Sequence, residues 1–225
     1  AEIARRNGIT DLSMGMSSDF EAAVNLGAGT NLNLGASGSI ASLSGSGTAQ
    51  IGGGNTLSIG GNNANGTFDG VLNGSGLLAK LGSGTLNLTG ANSLSGDTSI
   101  DAGTLNVSGS LASTNVAVNS GATPTGSGSL AGAVNVADGG HLALATGSTL
   151  SVGALALSGN SNLDVGLGVP VVGGGNALLN VGGNLTLDGA LNVSDIGGFG
   201  SGVYRLIDYV GGLTDNGLQV GNVPG

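Results

Sequence analysis

The sequence contains no cysteine and no tryptophan, and only 2% of its 225 residues are aromatic. Without cysteine it has no disulfide framework and no thiolate metal site. Its charges are sparse and one-sided, with 4 Lys and Arg against 13 Asp and Glu. Because nucleic-acid binding needs a basic surface that displaces counterions, we expect no nucleic-acid partner. No apolar run approaches the roughly 18 residues of a membrane-spanning helix.

Glycine is abundant instead, with 49 residues, and 39% of the chain is hydrophobic. Glycine does not recur at every third position and proline is scarce, which excludes a collagen helix. A mean hydropathy of +0.32 and regular alternation of Leu and Val also argue against a disordered chain. The composition favours short strands joined by tight turns.

A repeat near the middle of the chain gives the clearest structural signal. Residues 84–90 read Gly-Thr-Leu-Asn-Leu-Thr-Gly, and residues 103–109, nineteen positions later, read Gly-Thr-Leu-Asn-Val-Ser-Gly. A strand repeat with a period near 20 residues indicates a solenoid, in which each turn must stack on its neighbours to bury its apolar face. We therefore predict an all-β fold, a right-handed single-stranded parallel β-helix of about ten coils.

Alternation within the repeat predicts which side chains enter the core, because successive residues of a strand point to opposite faces. The aliphatic residues should point inward and the Thr and Asn residues outward. The inward set is Leu86, Leu88, Leu105 and Val107, and the outward set is Thr85, Asn87, Thr104 and Asn106. Asn residues also tolerate corner geometry and can stack into hydrogen-bonded ladders.

Changes in composition divide the chain into three parts. Residues 1–25 are predicted to form an N-terminal cap or incomplete first coil, with a remnant of an upstream effector domain as the alternative. Within them, Ser18 to Glu21 has capping-box spacing that favours a single helical turn. Residues 26–197 are predicted to be the β-helix repeats. Residues 198–225, which hold both tyrosines, are predicted to cap the open strand edges at the end of the stack.

A search for reactive groups yields few candidates. His141 is the sole histidine, and Asp138 lies close to it in sequence, but no nucleophile elbow accompanies them. Asp97 and Asp101 could share a weak cation, although solvated turn carboxylates are the commoner arrangement. Zinc needs three or four clustered ligands, which the sequence does not supply. We therefore predict no catalytic, cofactor-binding or metal-ligating residues, no cofactor and no enzymatic activity.

Two stretches resemble a known family. Residues 81–107, with Gly-Ser-Gly-Thr-Leu-Asn-Leu-Thr-Gly-Ala-Asn and then Ser-Gly-Asp-Thr-Ser-Ile-Asp-Ala-Gly-Thr-Leu, closely resemble the passenger-associated transport repeat of autotransporters. Residues 198–224, including Tyr204-Arg205-Leu206-Ile207-Asp208-Tyr209, are similar to the pertactin-like region near the C-terminal end of such passengers. Together the two motifs cover about a quarter of the chain.

The resemblance implies the C-terminal β-helical part of a secreted passenger, exported through the outer membrane to the surface of a Gram-negative bacterium. It implies a stalk or scaffold that aids passenger folding and secretion, with the protein's own outer-membrane β-barrel translocator as partner. One alternative is an adhesin or self-association module that binds glycans, a host surface or other passengers. The second is an enzyme whose catalytic domain lies upstream. No small-molecule substrate is expected.

Overall fold

The computed structural model describes residues 11–14, 20–171 and 175–225. Within them the regular structure consists of β-strands, and no helix occurs. The first thirteen strands are β1 (Asp11–Met14), β2 (Phe20–Leu26), β3 (Asn31–Leu34), β4 (Gly38–Gly45), β5 (Thr48–Ile51), β6 (Thr56–Ile59), β7 (Gly66–Phe68), β8 (Val71–Gly74), β9 (Leu77–Lys80), β10 (Thr85–Leu88), β11 (Ala91–Asn92), β12 (Thr98–Ile100) and β13 (Gly103–Val107). They continue as β14 (Ser110–Leu111), β15 (Asn115–Val118), β16 (Ala122–Thr125), β17 (Ser129–Val136), β18 (His141–Ala145), β19 (Leu150–Leu157), β20 (Asn162–Gly168), β21 (Leu179–Val181), β22 (Leu185–Leu187), β23 (Ala190–Gly197), β24 (Ile207–Tyr209), β25 (Leu213–Asp215) and β26 (Gln219–Val220).

Each turn of the chain contributes up to three short strands, and each strand pairs in parallel with a strand of the next turn. In the middle of the molecule β10, β11 and β12 form one turn and pair with β13, β14 and β15. The repeat found in the sequence sets this register, since Thr85 lies beside Thr104 and Leu88 beside Val107. The fold is a parallel β-solenoid, which confirms the predicted all-β class.

The core is a set of stacked aliphatic columns inside the coil. In β10, Leu86 and Leu88 are buried while Thr85 and Asn87 are only partly covered, and β13 repeats this pattern. The inward and outward sets predicted from the repeat are therefore confirmed. Burying one such side chain contributes about 1.5–3 kcal/mol, so the stacked columns supply the main stabilising term.

The enclosed core extends from Val24 to Leu185 and occupies about seven turns, fewer than the ten predicted. The prediction extended a period near 20 residues along the whole chain. Hydrogen bonds between adjacent turns do join residues 19 or 20 positions apart in the middle of the chain. After Thr149 that separation grows to 28 residues. The last strands, β25 and β26, contain no buried residue.

The predicted helical turn at Ser18 to Glu21 is wrong where the structure describes it. Phe20–Leu26 is the strand β2, which pairs in parallel with β4. Ser18 itself lies outside the described residues. Val24 and Leu26 are buried on alternate positions, so pairing with the next turn overrides the local capping signal.

The C-terminal segment adds a further set of strands to the stack. β24, β25 and β26 pair in parallel with β21, β22 and β23. Several apolar side chains remain exposed there, including Val210 and Val220. None of the described residues belongs to a helix long and apolar enough to cross a membrane.

Candidate functional site

His141 begins β18 on the outer surface of the solenoid, and its side chain is 36% exposed. Its Nδ1 lies 2.6 Å from Oδ2 of Asp164, a residue of the next turn, and not beside Asp138. The other carboxylate oxygen, Oδ1 of Asp164, accepts a hydrogen bond from Asn192 Nδ2 at 2.9 Å. Among the described side chains, no serine or threonine hydroxyl is hydrogen-bonded to His141. The geometry therefore brings together a His–Asp pair but no nucleophile.

Asp138 is occupied by a different turn-to-turn contact. Its Oδ1 accepts hydrogen bonds from Ser158 Oγ at 2.8 Å and from the Asn160 backbone N–H at 3.1 Å. Its Oδ2 accepts one from Asn160 Nδ2 at 3.2 Å. These bonds, that of Ser158 first, stabilise the carboxylate and hold the pKa of Asp138 below its ordinary value. Asp138 thus serves to join two turns.

Asp97 and Asp101 do not converge on a common cation site either. Asp97 Oδ1 accepts a hydrogen bond from Asn115 Nδ2 at 3.0 Å, and Asp101 Oδ1 accepts one from Asn119 Nδ2 at 2.6 Å. Both Asn residues belong to the following turn. In the part of the chain that the structure describes, no three His, Cys, Asp or Glu side chains are grouped as a metal ion would require.

A cleft of about 360 Å³ opens beside the last turns. Buried leucines, threonine hydroxyls, a tyrosine and an arginine line it, among them Leu167, Leu178, Thr146, Thr149, Tyr204 and Arg205. The sequence interpretation assigned Tyr204 and Arg205 only to a cap and missed this cleft. The sequence signal for this cleft was the adjacent Tyr204 and Arg205, in a chain with few aromatic residues and few arginines.

Hydrogen bonds fix the wall of this cleft. The Tyr204 hydroxyl donates to Gly168 O at 2.9 Å, and its ring stacks on Phe199 with 5.5 Å between ring centroids. Arg205 Nε donates to Asp208 Oδ1 at 2.8 Å, and 55% of the Arg205 side chain is exposed. Arg205 is the cation that solvent reaches in the described part of the chain, because Lys80 is buried. An aromatic ring, hydroxyls and a guanidinium are groups that bind sugars and carboxylates.

Lys80 is the other residue that sequence reasoning passed over. It ends β9, and none of its surface is exposed. Its Nζ donates to three backbone carbonyl oxygens, Leu81 O at 2.6 Å, Gly82 O at 2.8 Å and Ala102 O at 3.2 Å. Burial lowers the pKa of the Lys80 ammonium from its ordinary value. The sequence signal was its alignment with Ile59, 21 residues before it, and with Ile100, 20 residues after it.

The parallel stacking of turns, with polar side chains bonded from one turn to the next, defines a β-solenoid. Residues 78–107 match the family described as Passenger-associated-transport-repeat. The chain is also 52% identical over 100 residues to the Adhesin BmaC autotransporter of Brucella suis biovar 1 (strain 1330). That match covers 40% of this chain and 3% of the relative, so the chain spans a small part of that protein's length. No solved structure gives a significant match.

Both findings identify autotransporter passenger sequence, which confirms the resemblance recognised in residues 81–107. They also confirm the expected location, secretion to the cell surface of a Gram-negative bacterium. The matched repeat contains Lys80, β10 and β13, and it therefore coincides with the most regular part of the solenoid.

Proposed function

We propose that this chain is a C-terminal β-helical part of an autotransporter passenger and acts as a non-enzymatic surface stalk that helps the passenger fold during secretion. Its partner in export is the outer-membrane translocator of the same protein. The proposal includes that one chain winds into a right-handed β-helix, because connections between parallel strands are overwhelmingly right-handed. Residues 1–25 would cover the start of the coil, residues 26–197 would form the stalk, and residues 198–225 would cap it.

The observation that supports a stalk is that polar side chains on the outer faces of the coil are hydrogen-bonded to neighbouring turns. The acidic residues considered as reactive candidates bond to the following turn, as Asp101 does to Asn119 and Asp138 to Ser158. Side chains held in this way stabilise a rod. Their hydrogen-bonding groups are already used, so they do not form a catalytic site. A rod whose turns are interchangeable can be lengthened or shortened by whole turns.

The test uses the full-length gene and two deletions. Removing residues 110–128 takes out one turn in the register that pairs Ser110 with Ser129. Removing residues 110–119 takes out about half a turn and places outward residues against the core. We expect the whole-turn deletion to keep surface display and β-rich circular dichroism, and the half-turn deletion to lose both. Equal loss from the two deletions would refute an interchangeable-turn stalk.

A second experiment tests the absence of catalysis. His141→Ala removes the imidazole that any Ser–His–Asp chemistry in this chain would need, since it is the sole histidine. We expect neither the natural chain nor the variant to hydrolyse ester, amide or glycoside substrates. Hydrolysis that disappears in the variant would establish an enzyme instead.

An adhesive role is the second candidate, and the cleft beside Tyr204 favours it. The similar Brucella protein carries the name adhesin. The cleft volume of about 360 Å³ suits one or two sugar units, with Tyr204 as stacking surface and Arg205 as donor.

Arg205→Gln should then weaken attachment to glycan-coated surfaces. Asp208→Asn is the matched control, because it breaks the same ion pair but leaves the guanidinium in the cleft. Equal attachment by both variants would remove the cleft from consideration.

A further inference from the structure

Lys80 occupies a position that belongs to the aliphatic core. In the parallel register it lies beside Ile59 of the preceding turn and Ile100 of the following turn. Both isoleucines are buried, and Lys80 itself is 0% exposed. Transfer of an ammonium group out of water is strongly unfavourable unless hydrogen bonds and charges compensate it. The surroundings of Nζ must therefore provide that compensation.

Three main-chain carbonyl groups surround the amine. Leu81 O and Gly82 O come from the corner that follows β9, and Ala102 O comes from the corner of the next turn. An ammonium group has three N–H donors, so each donor has one acceptor. Among the described residues, no backbone N–H donates to these three oxygens and no carboxylate lies within ion-pair distance of Nζ. The carbonyls thus depend on the amine, and the amine depends on them.

The corner is built so that these carbonyls stay in place. Gly82 has a positive φ of 64°, a conformation that favours glycine. A Cβ atom at Gly82 would lie 2.0 Å from Gly60 O, so the backbones of two turns are in direct contact there. In the preceding turn a Cβ at Gly60 would lie 2.6 Å from Leu81 O, one of the three acceptors. The corner that carries the Leu81 and Gly82 acceptor oxygens is therefore held by backbone contact and not by flexible side chains.

We propose that the carbonyls of Leu81, Gly82 and Ala102 form a binding site for a primary ammonium group, which Lys80 fills from within the chain, and that this site fixes the register of two adjacent turns. The inference goes beyond a stalk or adhesive role, since it concerns how the transport repeat sets its own alignment.

Register needs such a device because the turns are nearly alike. The strands Thr85–Leu88 and Thr104–Val107 carry almost the same sequence, so a slip by one whole turn would keep the aliphatic columns filled. Hydrophobic stacking alone discriminates poorly between these alignments. Lys80 adds this discrimination, because in a slipped alignment its ammonium would keep the Leu81 and Gly82 carbonyls of its own corner but lose the Ala102 carbonyl of the next turn, which would leave one donor of a buried ammonium unpaired. A single buried polar group that specifies register is known from coiled coils.

The binding site can be tested by removing the Lys80 side chain and supplying a free ammonium compound in its place. Lys80→Ala removes Cγ, Cδ, Cε and Nζ, which n-propylammonium replaces atom for atom. Engineered cavities in protein cores do take up small ligands that match the deleted group. We expect the denaturation midpoint of Lys80→Ala to fall, and to recover when n-propylammonium chloride is added. The neutral 1-propanol should restore much less, because it offers one donor to three acceptors.

The matched control is Ile100→Ala, which opens a cavity in the same column without the carbonyl site. n-Propylammonium should leave its midpoint unchanged. Equal recovery of both variants, or no recovery of a folded Lys80→Ala protein, would overturn the proposed site.

The natural protein provides a measurement that does not depend on any variant folding. Lys80 is its single lysine, so 15N-lysine labelling gives one side-chain amine signal. We expect an ammonium resonance whose protons exchange with water far more slowly than those of free lysine. Exchange at the rate of free lysine would overturn the site even if Lys80→Ala does not fold.

The register function has its own readout in hydrogen exchange of Lys80→Met. The N–H groups of Asp101 and Thr104 bond across the two turns to Lys80 O and Gly84 O. We expect their exchange to accelerate by about tenfold or more, while that of Ser151, which bonds to Gly128 O elsewhere in the stack, stays unchanged. Unchanged exchange at Asp101 and Thr104, or equal acceleration at Ser151, would overturn the register function.

Discussion

Asn106 donates a hydrogen bond from Nδ2 to Oδ1 of Asn87, at 2.9 Å, and the two residues occupy the same position in adjacent turns. Asn87 in turn donates to Gly66 O at 3.3 Å and to Thr67 Oγ1 at 3.2 Å in the turn before. The Asn87 amide therefore bonds to the turn before it and to the turn after it. The parallel in-register stacking of the backbone creates this side-chain ladder, because equivalent residues lie one strand spacing apart.

Asn87→Ala should destabilise the protein by about 1–2 kcal/mol, because it removes two donated bonds and leaves Asn106 without its acceptor. Asn106→Ala should cost about 1 kcal/mol or less, since it removes only one of these bonds. Urea unfolding followed by circular dichroism measures both. In a double-mutant cycle the two substitutions should couple, with the pair costing less than the sum of the single changes.

Thr104→Ala is the control for this ladder. Thr104 is an outward residue of the same strand as Asn106, and no hydrogen bond of its hydroxyl is found among the described residues. Its substitution should combine additively with Asn87→Ala. Coupling as large as that between the two asparagines would show that the ladder bonds are not the cause.

The local pattern was enough to predict the strands of the repeat and their inward leucines, and it left open whether the asparagines stack or only form turns. Those features follow from alternation and from a period that is constant through residues 84–109. The partner of His141 could not be predicted, because Asp164 lies 23 residues away and the distance depends on the length of that particular turn. The predicted number of complete turns was wrong because the later turns are longer than the repeat in the middle of the chain.

Two residues show why charge and burial were harder to predict. Lys80 has the sequence position of a core residue, but a lysine is normally read as exposed unless its carbonyl partners are known. Arg205 was assigned to a cap because its segment is rich in large side chains. Its position on the wall of a cleft depends on where Val169 and Val171 lie after β20, which the sequence pattern does not specify.

Gly82→Ala should be strongly destabilising, by about 1–3 kcal/mol or more. The new methyl group would meet Gly60 O at 2.0 Å, and the positive φ at this position is strained for alanine. Gly61→Ala is the matched control in the neighbouring turn, since a Cβ there has nothing within 4 Å. Its stability should stay the same or rise by about 0.5 kcal/mol. Similar losses for both variants in urea unfolding would contradict the close approach of the two turns.

Lys80 should give the protein a distinctive dependence on alkaline pH. Because burial holds its pKa below the ordinary 10.5, the unfolded chain binds more protons than the folded one between the two pKa values. The free energy of unfolding, relative to that of Lys80→Met, should therefore rise as the pH increases through that window. Below the folded-state pKa the difference should be constant. The measurement is urea unfolding of both proteins at intervals from about pH 8 to 10.5.

A fall of this difference with pH would contradict the prediction, since it would mean that the folded protein stabilises the ammonium more than water does. A flat difference would place the folded-state pKa at the ordinary value. Subtracting the Lys80→Met curve removes the titration of the tyrosines, which both proteins share.

Deletion of residues 198–225 should slow or prevent refolding much more than deletion of residues 1–25. The C-terminal segment supplies large apolar side chains that pack against the enclosed core, including Phe199, Tyr204 and Leu206. Its removal also uncovers β21 and β22, whose Leu179 and Leu185 are buried in the natural chain. If this segment nucleates folding, its loss lowers the folding rate, whereas loss of an element that forms later mainly raises the unfolding rate. Refolding from urea, followed by far-ultraviolet circular dichroism, separates the two rates, and equal effects of the two deletions on the folding rate would refute a nucleating role.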